Sequence, residues 1–117
     1  GFDKMVNFIP VRGNFARGIF ASSYTRSDEP LERLRELYRM FYHDAPFTKV
    51  VTENPSLKQV VNTNKCMVFL EKHDNKILIV SMLDNLLKGA SGQAVQNMNL
   101  LFGLPETAGL NLKAAAF

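Results

Sequence analysis

The sequence predicts an α+β fold, with one mixed or antiparallel sheet and helices packed on one face of it. Two observations lead to this class. Segments that alternate with a period of two, or that are short apolar runs, lie on both sides of a segment with helical periodicity. A second helical stripe follows in the last third, so the predicted order is β β α β β β β α. The 117 residues match the size of one domain, and we expect residues 1–117 to form it.

The first two predicted strands lie in the amino-terminal quarter. Residues 5–11 are mostly apolar, and Pro10 lacks an N–H group, which favours a sheet edge or a strand end. Residues 18–26 alternate in the manner of a strand. The two faces of that strand would carry Ile19, Ala21, Ser23 and Thr25, and Phe20, Ser22 and Tyr24.

Residues 27–30 (Ser-Asp-Glu-Pro) predict a helix start, because Ser27 or Asp28 can cap the free N–H groups and proline is tolerated in a first helical turn. Apolar side chains at intervals of three and four residues then form one stripe. Its members are Leu31, Leu34, Leu37, Tyr38, Phe41 and Tyr42. Since Pro46 disfavours helical geometry at the residue before it, the helix should end near residues 43–44.

Four strand candidates follow this helix. Residues 47–52 and 57–61 are short and apolar, and the second follows an Asn-Pro turn signal. Residues 65–72 and 76–82 predict a hairpin around His73-Asp74-Asn75, because Asp and Asn tolerate left-handed turn geometry. The second hairpin strand is apolar on both faces, as expected of a central strand.

The last third predicts a long helix. Its apolar stripe consists of Leu83, Leu87, Ala90, Ala94, Met98 and Leu101. Gly103 is placed to end this helix, with Pro105 just beyond, and the rest of the chain to residue 117 is predicted to be an extended tail. Gly89 and Gly92 interrupt the helix and each weakens it by roughly 0.5–1 kcal/mol relative to Ala, so they require a reason.

Residues 84–97 (DNLLKGASGQAVQN) are dense in hydrogen-bond donors and join a strand end to a helix start. One interpretation is a site for a phosphate-bearing ligand, since glycines allow close approach and free N–H groups favour anions. The alternative is close helix packing through small residues. The spacing matches neither a dinucleotide fingerprint nor a P-loop, and a GxxG loop of the RNA-binding KH type is a remote third reading.

Other candidates are sparse. Arg12 and Arg17 could clamp a carboxylate or phosphate, or could be solvated arginines beside a turn. The single cysteine, Cys66, predicts a buried inert thiol and excludes a disulfide within the chain. His43 and His73 have no metal-ligand spacing, so no metal site is predicted. The net charge of +3 is spread along the chain, which predicts no nucleic-acid partner, and no long apolar run occurs, which predicts no membrane span. The single cysteine predicts a reducing, cytoplasmic setting.

Residues 81–110 (SMLDNLLKGASGQAVQNMNLLFGLPETAGL) resemble the C-terminal signature of the N-acetyl-gamma-glutamyl-phosphate reductase family of arginine biosynthesis. The segments FIP…RGIFAS and LKQVVNTNKC resemble that family more loosely. The resemblance implies a glyceraldehyde-3-phosphate-dehydrogenase-like C-terminal domain of an NADP-dependent semialdehyde dehydrogenase. In such an enzyme this domain supplies the oligomer sheet and part of the pocket for an N-acyl-glutamyl phosphate.

The resemblance also implies what this chain lacks. The family's nucleophilic cysteine in an Asn-Pro-Gly-Cys motif, its acid/base histidine motif and its Rossmann domain have no counterpart here, and Cys66 does not match the nucleophile. The isolated chain is therefore expected to be inactive and to form homo-oligomers through its sheet. Arg17 is assigned to the substrate side. The cofactor side is assigned Asn85, Lys88, Gly89, Gln93 and Asn97. The alternative is a stand-alone oligomerisation or ligand-binding module without catalysis.

Overall fold

The computed structural model describes residues 3–114 and contains one four-stranded mixed sheet with two helices. The strands are β1 (Ile19–Arg26), β2 (Thr48–Val51), β3 (Cys66–His73) and β4 (Lys76–Leu83), in the order β1-β4-β3-β2. The helices are α1 (Leu31–Phe41) and α2 (Gly92–Leu101). Strands β2 and β3 are parallel and the other pairs are antiparallel, which confirms the predicted α+β class and shows that the sheet is the mixed one of the two predicted alternatives.

The β3–β4 hairpin is confirmed together with its turn. Asp74 has a φ of 52°, the left-handed conformation that the Asp-Asn pair was expected to supply. β4 pairs with β1 on one side and β3 on the other, so it is the central strand that its apolar faces predict. The strand predicted at residues 18–26 is also confirmed as β1, since Ile19–Arg26 pairs with β4 along its whole length, although nearly all of its residues are exposed whichever face they lie on.

The two faces of the sheet are covered by different parts of the chain. On one face, Val68, Leu70 and Ile77 are buried against the apolar stripe of α1, which includes Leu34 and Tyr38. The opposite face is covered by the connection between β2 and β3. Its buried cluster consists of Val60, Phe69, Val80 and Met82, with Leu57 packed against it. Both faces of β3 and β4 are therefore covered within this chain.

Two predicted strands are wrong. Residues 5–11 form no strand, because no strand of the described chain lies beside them, and Phe8 and Ile9 are 83% and 80% exposed. The segment predicted as a strand at residues 57–61 instead contains a 3-10 turn, Leu57–Gln59. Its start is capped because the Ser56 backbone N–H donates to Gln59 Oε1 at 2.8 Å. Leu57 and Val60, three residues apart, then both reach the sheet.

The second helix begins later than its stripe predicts. Leu83 belongs to β4, and the helical backbone starts with a π-helical turn, Leu87–Ser91, that runs directly into α2. The predicted stop is confirmed, since Gly103 has a φ of 65° just after the helix. Whereas α1 lies on a face of the sheet, α2 lies beyond the ends of β3 and β4, where Gly92 faces Asn64.

The prediction of an extended tail after Gly103 is wrong for the described part, which turns back onto α2. Asn99, which is 2% exposed, donates through Nδ2 to the carbonyl oxygens of Glu106 at 3.1 Å and Ala108 at 3.0 Å. Leu110 is buried at 4% exposure. Residues 115–117 lie outside the described residues. A buried amide can hold a turn because leaving those carbonyls without donors would be unfavourable.

Asn99→Ala should therefore lower the free energy of unfolding by about 1–2 kcal/mol and loosen the segment around Glu106, because two carbonyls lose their donor. Urea unfolding and limited proteolysis measure the two effects. Asn97→Ala is the matched control, since Asn97 is exposed on the same helix and should change stability by less than about 0.5 kcal/mol. Equal stability of the two variants would contradict the role of Asn99.

Candidate functional site

The end of β4 carries a buried carboxylate that joins three separate parts of the chain. Asp84 is 0% exposed and accepts four hydrogen bonds. Arg17 Nη2 donates to Oδ1 at 2.7 Å, and the Asn62 backbone N–H donates to Oδ2 at 2.7 Å. The backbone N–H groups of Leu86 and Leu87 donate to Oδ1 at 2.9 Å each. One side chain therefore holds the entry to β1, the loop before β3 and the start of the π-helical turn together.

The charge of Asp84 depends on these donors. Burial by itself would raise the pKa of the carboxyl, but the guanidinium of Arg17 and the backbone N–H groups of Asn62, Leu87 and Leu86 together hold the pKa below its ordinary value. The carboxylate is thus ionised at neutral pH. The side chain of Arg17 is 26% exposed, so its guanidinium lies at the border between this buried group and solvent.

Asn85 is fixed in orientation by a backbone group. The Gly18 N–H donates to Asn85 Oδ1 at 2.7 Å, and Gly18 has a φ of 116°, a conformation that favours glycine. Because Oδ1 accepts this bond, the Nδ2 donors of the amide face away from Gly18. Asn85 and Arg17, predicted for opposite sides of a site, are therefore brought into one cluster around Asp84.

Lys88 belongs to a second polar chain beside the first. Its Nζ donates to Gln96 Oε1 at 2.7 Å and lies 5.8 Å from the centroid of the Phe47 ring. Gln96 Nε2 in turn donates to Glu106 Oε1 at 2.6 Å. The Gln96 amide therefore lies between the Lys88 ammonium and the Glu106 carboxylate in this chain of hydrogen bonds. Asn64, at 1% exposure, lies against the same helix and contacts Gln96 at 3.5 Å.

The remaining predicted site residues lie apart from these clusters. Gly89, Gln93 and Asn97 are exposed along one side of the π-helical turn and α2. Gly92 is different, because a side chain there would overlap Asn64 Oδ1 and approach the Leu87 carbonyl oxygen to 2.9 Å. The close approach that its sequence suggested is therefore a contact within the chain, which supports the packing interpretation at Gly92.

The polar residues that organise the site are not among the individual site residues predicted from the sequence. These are Asp84, Asn64, Gln96, Asn99 and Glu106. The detectable signal was a charged residue directly after an apolar strand and before a glycine-containing helix start, since such a charge is rarely buried without partners. Pairing with Arg17, 67 positions earlier, could be found only from the fold.

The other chemical candidates do not join this cluster. Cys66 is half-buried, and burial raises the pKa of its thiol although the nearby Lys88 charge opposes the shift. His43 contacts Asp44 and His73 contacts Glu71 at exposed positions. Within residues 3–114 no group of three His, Cys, Asp or Glu side chains is arranged to hold a metal ion. The described helices are all too short or too polar to cross a membrane.

Comparison with known proteins gives two concordant results. Residues 1–85 match the family model of the semialdehyde dehydrogenase dimerisation domain. The N-acetyl-gamma-glutamyl-phosphate reductase of Parabacteroides distasonis is 60% identical over 116 residues, which are 99% of this chain and 36% of the relative. The reductase of Christiangramia forsetii, under the same name, is 62% identical over 112 residues, 96% of this chain and 35% of the relative.

The chain thus spans about a third of the length of the curated relatives that it matches. The family match covers β1, α1, β2, β3 and β4 and ends at Asn85, which lies in the polar cluster around Asp84. The four-stranded mixed sheet with α1 on one face is the part of the fold to which this match applies. The chain therefore belongs to the family of semialdehyde dehydrogenase dimerisation domains.

Proposed function

We propose that the chain is the C-terminal domain of an NADPH-dependent N-acyl-gamma-glutamyl-phosphate reductase, in which it supplies the oligomer contact and part of the substrate and cofactor pocket. The observation that supports this most strongly is the 60% identity to a named N-acetyl-gamma-glutamyl-phosphate reductase over 99% of the chain. The product would be the semialdehyde. The reacting nucleophile and the Rossmann domain would belong to the part of the relatives that this chain does not cover.

The polar cluster suits an anionic substrate. An acyl phosphate of an N-acyl glutamate carries negative charge, and Arg17 offers a guanidinium that is held by Asp84 yet remains 26% exposed. A guanidinium fixed on one side can present its other N–H groups to a carboxylate or phosphate with little loss of side-chain entropy. We therefore assign Arg17 to substrate binding.

The cofactor assignment rests on Asn85 and Lys88. When bound, the dinucleotide supplies the hydride. Asn85 would orient it by donating from Nδ2, the end of the amide that Gly18 leaves available. Lys88 would contribute positive charge, since its direct partner is the neutral Gln96 amide. Gly89, Gln93 and Asn97 would form the outer wall, where they are exposed.

A domain exchange tests the proposed function. This chain would replace the 116 matching residues of the Parabacteroides distasonis protein, and NADPH oxidation would be followed with N-acetyl-gamma-glutamyl phosphate as substrate. We expect the hybrid to be active and the isolated chain to be inactive. The unaltered relative is the control. A folded hybrid without activity, or reduction of the acyl phosphate by the isolated chain, would contradict the proposal.

Self-association is the second part of the proposed function, and the exposure of the strands supports a contact at β1. The apolar residues of β4 are covered within the chain, for example Ile77 at 2% and Val80 at 3% exposure. The solvent-exposed apolar side chains of the sheet lie on β1, where Phe20 is 50% and Tyr24 is 81% exposed. Large exposed apolar side chains that share one face indicate a contact surface.

The chain should therefore form a dimer in sedimentation velocity, and Tyr24→Asp should shift it towards monomer by placing a charge in the contact. Thr25→Asp is the control, since Thr25 lies on the same strand and faces the opposite side of the sheet. A monomeric chain at high concentration would contradict self-association. Equal effects of the two substitutions would contradict the assignment to this face of β1.

A further inference from the structure

We propose that Asp84 is a positioning residue, which orients Arg17 and Asn85 for ligand binding without touching the ligand itself. This inference rests on the proposed function, because it concerns the residues assigned there to substrate and cofactor. Asp84 is fully buried, so it cannot contact a ligand in this arrangement. Its effect on a ligand must pass through the groups that it holds.

The bonds of Asp84 connect it to both assigned residues. It accepts directly from Arg17, and Arg17 precedes Gly18, whose N–H donates to Asn85 Oδ1. It also accepts from the N–H groups of Leu86 and Leu87, which follow Asn85. Asn85 is therefore held on both sides, by the backbone that comes before β1 and by its own turn.

Stability alone is a poor explanation for a buried ion pair here. Removing two charges from water is unfavourable, and apolar residues of similar volume often serve a core as well or better. Asp84 also accepts from the backbone N–H of Asn62, which has a φ of 62°, a left-handed conformation that Asn tolerates. Such a pair specifies one geometry for three chain segments, and the two ligand-facing residues lie within those segments.

The Arg17–Asp84 ion pair lies at one end of the sheet, where a displacement would move both Arg17 and Asn85. β1 begins and β4 ends at the same place, since Ile19 is paired with Leu83. Asp84 directly follows Leu83, and Arg17 lies two residues before Ile19, so their ion pair closes the sheet end. Loss of the carboxylate would free Arg17 and Gly18 to move away from Asn85, while β3 and β4 would keep their own ladder.

The test has one arm that is independent of activity. In this chain, Asp84→Asn should reduce the hydrogen-exchange protection of the Gly18 amide by roughly ten-fold or more, although the Gly18 N–H donates to Asn85 and not to Asp84. The amides of the β3–β4 hairpin should keep their protection. Asp44→Asn makes the same chemical change at an exposed position and should leave Gly18 unchanged. Unchanged protection of Gly18 in Asp84→Asn would overturn the proposal.

The second arm measures kinetics in the domain-exchange hybrid, at a temperature where circular dichroism shows every variant folded. Asp84→Asn should lower kcat/KM by roughly ten-fold, with weaker NADPH binding, because misplaced groups bind a transition state poorly. A lower Tm with unchanged kcat and KM would show a merely structural role and overturn the inference. An inactive unsubstituted hybrid would instead contradict the proposed function, and Gly18 protection would still decide about Asp84.

Arg17→Gln provides a second variant if Asp84→Asn does not fold. It leaves Asp84 bonded to the backbone N–H groups of Asn62, Leu86 and Leu87. Protection of the Gly18 amide should fall as in Asp84→Asn, while the Leu86 and Leu87 amides keep theirs. Retention of Gly18 protection in this variant would overturn the proposal, because Arg17 is the link through which Asp84 is inferred to hold Gly18 against Asn85.

Discussion

Asp84→Ala should lower the free energy of unfolding by about 3–5 kcal/mol, the range found when one partner of a buried ion pair is removed. Alanine offers no acceptor, so the backbone N–H groups of Asn62, Leu86 and Leu87 would be left without their partner and Arg17 without its counter-charge. Urea unfolding at neutral pH measures the loss. Asp44→Ala, at an exposed carboxylate, should change stability by less than about 0.5 kcal/mol.

The same carboxylate should make stability depend on acid pH. Burial raises its pKa, but the donors led by Arg17 outweigh burial and hold the folded-state pKa below the ordinary 3.8. A lowered pKa contributes stability that is present above about pH 4 and is lost as the pH falls through the folded-state value. Unfolding curves from pH 7 to pH 2 should therefore decline more steeply below pH 4 in the natural chain than in Asp84→Asn. Parallel curves would contradict this contribution.

Gly92→Ala should lower the free energy of unfolding by about 2–3 kcal/mol, although alanine is the better helix former. The added Cβ would overlap Asn64 Oδ1 and lie 2.9 Å from the Leu87 carbonyl oxygen. Neither neighbour yields easily, since Asn64 is 1% exposed and the carbonyl belongs to the helical backbone. Gly92 has a φ of −65°, so the expected loss arises from overlap and not from backbone conformation.

Gly89→Ala is the matched control for Gly92→Ala. A Cβ at Gly89 would lie 3.5 Å from the Leu83 side chain and 3.6 Å from the Asp84 carbonyl oxygen, both ordinary contacts. Because no overlap arises at Gly89, the substitution should be neutral or should raise the free energy of unfolding by up to about 1 kcal/mol. The gain would come from the lower backbone entropy of the unfolded chain. Thermal unfolding of the two variants distinguishes the sites. A stable Gly92→Ala variant would show that the helix start can shift.

The agreement between sequence and structure is best where the physical signal is local. The helix start at residues 27–30, the Asp74 turn and the stop at Gly103 each depend on the preferences of a few neighbouring residues. The turn and the stop are confirmed, whereas the helix begins at Leu31 with Pro30 as its N-cap and without the predicted cap from Ser27 or Asp28. Residues 5–11 show the limit of such signals. Their pattern suits a strand, but a strand exists only where a second strand supplies hydrogen bonds, and none in residues 3–114 does so.

The candidate site shows the same difference between local signals and contacts between distant residues. Sequence patterns were enough to identify the family and the α+β class, because motif and periodicity are properties of neighbouring residues. The fold was needed to show that Asp84 is the centre of the cluster, that Arg17 is its partner and that Gly92 is a packing position. These contacts join residues that lie far apart in the sequence. Burial in a low-dielectric environment then strengthens the interaction between a carboxylate and its donors.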